Sequence, residues 1–180
     1  MSKDNYIFLD MDEVMLNRAS WITSGSHEEE DCIDPMCVRL LDYVCKVAEA
    51  KVVICSTWRH GTDRTNEWWN SLFKRYGASS IDVVGRTCYY HSKPRGLEVM
   101  TWVEENAAEI NKYVIIDDSS DFFTNQPHVQ PEEIYGFRYE HALQALLILV
   151  PEHSDASFWE KELTIINNAV PTKRIQYNDY

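Results

Sequence analysis

Two pairs of carboxylates punctuate this chain: Asp10 and Asp12, two residues apart, and Asp117 beside Asp118. Each pair directly follows an apolar run, Tyr6-Ile7-Phe8-Leu9 in one case and Val114-Ile115-Ile116 in the other. Anions this close repel one another unless a cation or a proton intervenes. If both runs are strands ending at one rim, three or four carboxylates meet there. Such an all-oxygen cluster suits magnesium, which keeps part of its water and uses a few carboxylate ligands. A third apolar run, Val52 to Cys55, closes on Ser56 and Thr57, followed by Trp58 and Arg59, and Lys93 and Arg95 precede a helical stretch. Taken singly these residues carry little, because Asp is common in turns, Ser and Thr cap turns, and basic groups at a helix start can be solvated. Their recurrence at strand ends gives them weight.

The elements that must position these groups follow from hydrophobic spacing. Residues 6–9 suit a central strand buried on both faces. Asp34 followed by Pro35 is an N-cap with proline in the first turn, and Val38, Leu41, Val44 and Ala48 repeat at helical spacing, which predicts a helix over about 35–50. A strand ends at Cys55, and a helix over 66–76 carries Trp69, Leu72, Phe73 and Tyr76 on one side and stops at Gly77. A short strand near 81–84, a helix over about 95–110 and the strand at 114–116 continue the alternation. Beyond it the sequence predicts a short strand near 133–137, a helix with Leu143, Leu146, Leu147 and Val150, a helix near 155–169 and a polar, frayed tail over 173–180. Alternating strands and helices imply a parallel sheet covered on both faces, a Rossmann-like three-layer α/β/α sandwich whose ligands bind beyond the strand carboxyl ends. Asp10, Ser56 and Asp117 then share one rim.

With 180 residues, 44% of them hydrophobic, the chain suffices for one domain with a true core, expected over residues 1–172. No run of 18 uncharged apolar residues and no leader-like start is seen, and five cysteines without a CxxC pair fit a reducing, cytoplasmic setting. The formal charge of −12 repels phosphate polymers from the surface as a whole, so tight nonspecific nucleic-acid binding is not expected.

Asp10-Met11-Asp12-Glu13-Val14 resembles motif I of the haloacid dehalogenase (HAD) superfamily, Ser56-Thr57 its motif II, Lys93 or Arg95 its motif III, and Asp117-Asp118 its motif IV, in order and over about residues 6–121. The resemblance implies a HAD-type phosphatase. Asp10 would attack phosphorus to form an aspartyl phosphate and Asp12 would act as acid and base. Ser56 or Thr57 would bind a phosphoryl oxygen, and Lys93 or Arg95 would offset charge in the transition state. Asp10, the main chain of Asp12, and Asp118 supported by Asp117 would hold Mg2+. Glu13 departs from the pattern, since glycine usually follows the second aspartate, and an unusual backbone angle is expected there.

Only residues 15–33 are free for a flap after motif I, too few for a cap domain, so the site is expected to be open, either to a large substrate or for closure by a second copy of the chain. Ile33-Asp34-Pro35-Met36 and Trp58-Arg59 resemble the phosphatase half of polynucleotide kinase-phosphatases and the HAD domains of RNA-repair proteins, whereas Asp10-Met11-Asp12-Glu13-Val14 resembles 5'(3')-deoxyribonucleotidases. The substrate is accordingly a nucleic-acid 3'-phosphate end or a nucleotide, with Arg59 placed to grip phosphate and Trp58 to stack. Two other readings stand beside this one: a metal-dependent nuclease, which would not need the hydroxyl and basic residues of motifs II and III, and a catalytically degenerate HAD-fold binding module, for which Glu13 is the support. A phosphorelay receiver is disfavoured because no aspartate closes the apolar run at Val52 to Cys55 or the short one near 81–84.

Overall fold

A computed structural model describes residues 3–60 and 64–153. Residues Met1–Leu149 form one compact unit, and Val150–Tyr180 a second, of which residues 150–153 are described, with a 3-10 turn at Pro151–His153. The helix expected near 155–169 and the tail over 173–180 lie outside the described residues.

The first unit is built on five parallel strands, β1 (Asp4–Leu9), β2 (Ala50–Ile54), β3 (Val83–Arg86), β4 (Ile110–Ile116) and β5 (His128–Val129), in the order β3-β2-β1-β4-β5. Its helices are α1 (Arg18–Ser24), α2 (Pro35–Ala48), α3 (Asn66–Arg75), α4 (Arg95–Glu105) and α5 (Tyr139–Leu149). With the right-handed crossovers that parallel strands adopt, this order sends α2 and α3 to one face, as the chain steps outward from β1 to β3, and α4 to the other, as it returns across β1 to β4. This is the expected Rossmann-like α/β fold.

The central strand is apolar on both faces, as its sequence demands: Tyr6, Ile7, Phe8 and Leu9 are all buried. Tyr6 and Phe8 meet Trp102 of α4 at ring-centroid distances of 5.1 and 5.4 Å, within a cluster that includes Val53, Val99 and Ile115. Its polar start is held at the surface by Lys51 and Asp4, 2.6 Å apart. Asp34 caps α2 as its type suggests, accepting from the Met36 amide at 2.8 Å, with Pro35 opening the helix.

The segment expected as a strand near 133–137 is instead a tight turn. The Gly136 amide bonds to the Glu132 carbonyl at 2.8 Å, and Gly136 takes φ 64°, where a side chain would meet the Val14 carbonyl oxygen and Asn17. Of the apolar residues in that stretch, Ile134 and Tyr135 are exposed and Phe137 is buried. The strand lies earlier, at β5, confined to two residues between Pro127 and Pro131, neither of which can donate to a ladder. Helix α4 also ends sooner than expected, where Asn106 turns its side-chain amide onto the Trp102 carbonyl at 2.8 Å, which frees β4 to begin at Ile110. No helix among the described residues is long and apolar enough to cross a membrane.

Candidate active site

The parallel pairing of β1 with β4 is in register at Leu9 and Ile116, so the next residue on each strand, Asp10 and Asp117, emerges at the same height. The Asp10 amide continues the ladder onto the Ile116 carbonyl at 3.0 Å. Both side chains are almost wholly buried, and Asp118 is half-buried beside them. One carboxylate oxygen from each of Asp10, Asp117 and Asp118 lies within 4.8 Å of the others. The convergence of Asp10 with Asp117 and Asp118 is therefore a direct result of strand register, whereas the Asp12 side chain lies outside this group, on the Trp58 indole.

A single guanidinium answers this charge. Arg95 Nη1 donates to Asp10 Oδ2 at 2.9 Å and to Asp117 Oδ2 at 2.5 Å. One cation against three carboxylates leaves an imbalance. Burial, followed by the Asp10 charge, pushes the Asp117 carboxyl up to about 6 despite Arg95. Burial, then Asp10, Asp117 and Glu13, push Asp118 up to about 7. Asp10 Oδ1 is buried and makes no hydrogen bond. An unmatched buried oxygen within a crowded all-carboxylate set is what a hard divalent cation fits. Asp10, Asp117 and Asp118 are the residues that could hold it.

The arginine and the acids are mounted on one block. The Arg95 amide donates to Asp121 Oδ2 at 2.9 Å and the Gly96 amide to the Asp121 carbonyl at 3.1 Å. Gln126 reaches back, its Nε2 to the Gly96 carbonyl at 2.8 Å and its Oε1 accepting from the Phe123 amide at 2.9 Å. A Cβ on Gly96 would stand 2.6 Å from Gln126 Oε1 and 3.1 Å from the backbone at Phe122 and Phe123, so glycine is needed for this approach. Asp117 is fixed further by the Ser119 amide on its Oδ1 at 2.9 Å and by His128 Nε2 on its carbonyl at 2.7 Å. Lys93, two residues before Arg95, is exposed on the turn leading into α4, with its amide on the Tyr90 carbonyl.

After Asp10 the chain coils back on itself through hydrogen bonds from the Met15 and Leu16 amides to the Met11 carbonyl. Glu13 stands in this coil at φ 59°, the left-handed region that glycine would take freely, so the departure from the motif carries the unusual backbone angle expected of it. Asp12, at the start of the coil, is half-buried. Its Oδ1 accepts from the Trp58 indole Nε1 at 2.9 Å, and burial, the largest influence, raises its pKa above the ordinary carboxylate value.

Ser56 and Thr57 divide between interior and surface. Ser56 is fully buried, its hydroxyl near the Trp58 amide at 3.3 Å, whereas Thr57 is exposed and opens the 3-10 turn Thr57–His60. Trp58 is buried and stacks at 6.2 Å on Trp69, so it presents its N–H to Asp12 and not a free face to a base. Arg59 likewise differs from a phosphate-gripping residue. It is buried, with Nη2 2.6 Å from Glu98 Oε2 and Nη1 on the Cys55 and Ser56 carbonyls. Glu98 accepts from the Tyr90 amide with its other oxygen at 2.9 Å, so the pair ties the Ser56-Thr57 turn to α4.

Sequence reasoning did not single out Glu98, Arg64, Gln126 or His128. Arg64 lies over the rings of Trp58 and Trp68, 4.7 and 5.0 Å from their centroids, and pairs with Glu30 at 3.3 Å. Basic and aromatic residues on either side of the 3-10 turn were its only signal. The flap over residues 15–33 holds α1, capped by Asn17, and a 3-10 turn at Glu29–Asp31. It brings Glu29 and Glu30 to the rim of a cavity of about 430 Å³ that Asp12, Thr57, Trp58, Arg64 and Trp68 also line.

Residues 6–142 match the sequence profile of the HAD domain in Swiss Army Knife RNA repair proteins. No curated protein and no solved structure matches the chain.

Proposed function

The chain belongs to the family of HAD domains found in Swiss Army Knife RNA repair proteins, and from that premise we propose that it is a magnesium-dependent phosphomonoesterase acting through an aspartyl phosphate on nucleic-acid 3'-phosphate ends or nucleotides. The observation that carries the reading is the meeting of Asp10, Asp117 and Asp118 within 4.8 Å, with Arg95 bridging Asp10 and Asp117 and a second, proton-favouring carboxyl, Asp12, two residues from Asp10.

In this mechanism a carboxylate oxygen of Asp10 bonds to phosphorus as the ester P–O bond breaks, and Asp12 gives its proton to the departing oxygen. Its raised pKa suits the protonated form an acid requires. Asp12, now a carboxylate, then takes a proton from the water that attacks phosphorus, which releases phosphate and restores Asp10. Arg95, held 2.9 Å from Asp10, is placed to offset charge on the phosphoryl oxygens, and it fills the motif III role in preference to the exposed Lys93. Thr57, at the cavity wall, is better placed than the buried Ser56 to meet a phosphoryl oxygen. Asp10, Asp118, Asp117 and the main chain of Asp12 would hold Mg2+, which when bound supplies the positive charge that lets an anionic ester approach Asp10.

The test is turnover of p-nitrophenyl phosphate, nucleoside monophosphates and a 3'-phosphorylated oligonucleotide with magnesium. Asp10→Asn is expected to abolish hydrolysis while circular dichroism stays unchanged, and beryllium fluoride is expected to bind the unaltered protein and not the variant. Strand scission without phosphate release would instead support a nuclease. Lack of turnover on all three substrates would leave the degenerate binding module, which Glu13 favours.

A further inference from the structure

Asp12 lies on the wall of two cavities, and they are not equivalent. One, of about 350 Å³, is lined by Glu13, Leu16, Asn17, Arg18, Trp21 and Glu133 and includes no residue of the Ser56-Thr57 turn. The other, of about 430 Å³, has Asp12 and Thr57 on the same wall. For an ester whose phosphoryl group is met by Thr57 and whose leaving oxygen is met by Asp12, the second cavity, and not the first, borders both contacts.

We infer that this second cavity, between the Glu29–Asp31 turn and the indoles of Trp58 and Trp68, is the leaving-group subsite and takes one nucleoside unit. The inference rests on the phosphomonoesterase reading above. Its size lies within the range of roughly 300–1,000 Å³ usual for small-molecule sites and gives room for one nucleoside. The Trp68 indole is only partly buried, and the Arg64 guanidinium lies 5.0 Å from its ring centre, so two flat surfaces border the space, of a kind on which rings stack. Glu29 and Glu30 against the single cation Arg64 make the lining acidic. Carboxylates accept bonds from sugar hydroxyls and exocyclic amines but repel a further phosphate. A neutral, hydroxyl-bearing ring system is the chemistry that satisfies both features.

The experiment compares adenosine 3'-monophosphate with p-nitrophenyl phosphate in the unaltered protein, in Trp68→Ala and in Trp68→Phe, with magnesium. Adenosine is expected to inhibit p-nitrophenyl phosphate hydrolysis competitively. The ratio of kcat/KM for the nucleotide to that for the aryl ester is expected to fall about tenfold in Trp68→Ala, as loss of one base–aromatic stack requires, and to recover in Trp68→Phe. A ratio that moves less than twofold, or absence of competition by adenosine, overturns the subsite. Should no ester be hydrolysed, the phosphatase reading fails, and equilibrium dialysis with labelled adenosine decides the subsite separately: binding weakened at least fivefold in Trp68→Ala upholds a nucleoside site, and no binding to the unaltered protein ends it. Should Trp68→Ala not fold, the adenosine competition and Trp68→Phe, whose ratio must stay within about threefold of the unaltered protein, carry the decision.

Discussion

Glu98→Gln is expected to destabilise the protein severely, although the substitution keeps the shape of the side chain. Glu98 and Arg59 stand 2.6 Å apart, with side-chain exposures of 3% and 4%. Arg59 already gives Nη1 to two carbonyls, and its Nε is buried without an acceptor. Removing the carboxylate charge leaves a guanidinium in the interior with carbonyl groups and the Tyr89 ring, 5.7 Å from its centre, and no anion beside it. Breaking one partner of a buried pair costs about 3–5 kcal/mol, and because glutamine retains a carbonyl acceptor the lower figure, about 3 kcal/mol, applies here. For a chain of this size each kcal/mol moves Tm by about 2–4 °C, so a drop of about 6–12 °C should appear in thermal melts, with a matching loss in urea titration at unchanged m-value. Replacing both partners, Arg59→Met with Glu98→Leu, should recover most of the loss, since a well-packed apolar pair can substitute for an ionic one. A Tm change under about 2 °C in Glu98→Gln, or a double variant no more stable than the single, would refute the reasoning.

In metal-free protein Asp117 and Asp118, raised to about 6 and about 7 from 3.8, favour folding while protonated. Their contribution is full below about pH 4 and is lost as pH rises through 6 to 7. Magnesium should therefore raise Tm more at pH 8 than at pH 5, and an equal rise at both would count against the site. Trp58→Phe removes the N–H that fixes Asp12 Oδ1 at 2.9 Å, and should slow esters with alkoxide leaving groups about tenfold more than p-nitrophenyl phosphate, a loss of about 1.4 kcal/mol in proton-transfer placement. Glu13→Gly frees the φ 59° position from its side chain and takes one carboxylate from beside Asp118, so Tm should rise by about 2–4 °C, for a relief of about 1 kcal/mol. A fall would mean that the Glu13 side chain stabilises the coil.

The meeting of Asp10 with Asp117 was legible because two apolar runs of a parallel sheet ended in acids, and adjacent strands in register bring their next residues together. The cap at Asp34 and Pro35 was legible for the same reason, that a local pattern has one low-energy outcome. Side chains whose direction depends on distant partners were not. Whether Lys93 or Arg95 reaches the acids turns on where α4 begins, and that is set by Asp121 and Gln126 some thirty residues later. Arg59 points inward because a carboxylate on α4 awaits it, yet Glu98 reads in sequence as an ordinary acid of a first helical turn. The stretch Glu133-Ile134-Tyr135 has the composition of a strand, but Gly136 at a positive φ closes it into a turn.

The clasp between Gly96, Asp121 and Gln126 couples two stretches of chain that meet nowhere along the sequence. One additional residue between Asp118 and Gln126 would not merely enlarge an exposed loop. It would drag the first turn of α4, and with it the guanidinium, away from the acids that it bridges. Residues 119–125 are thus free in much of their chemistry and bound in their number, so that an insertion there should act on the acid cluster while a substitution at Ser120, Thr124 or Asn125, all exposed, should pass unnoticed.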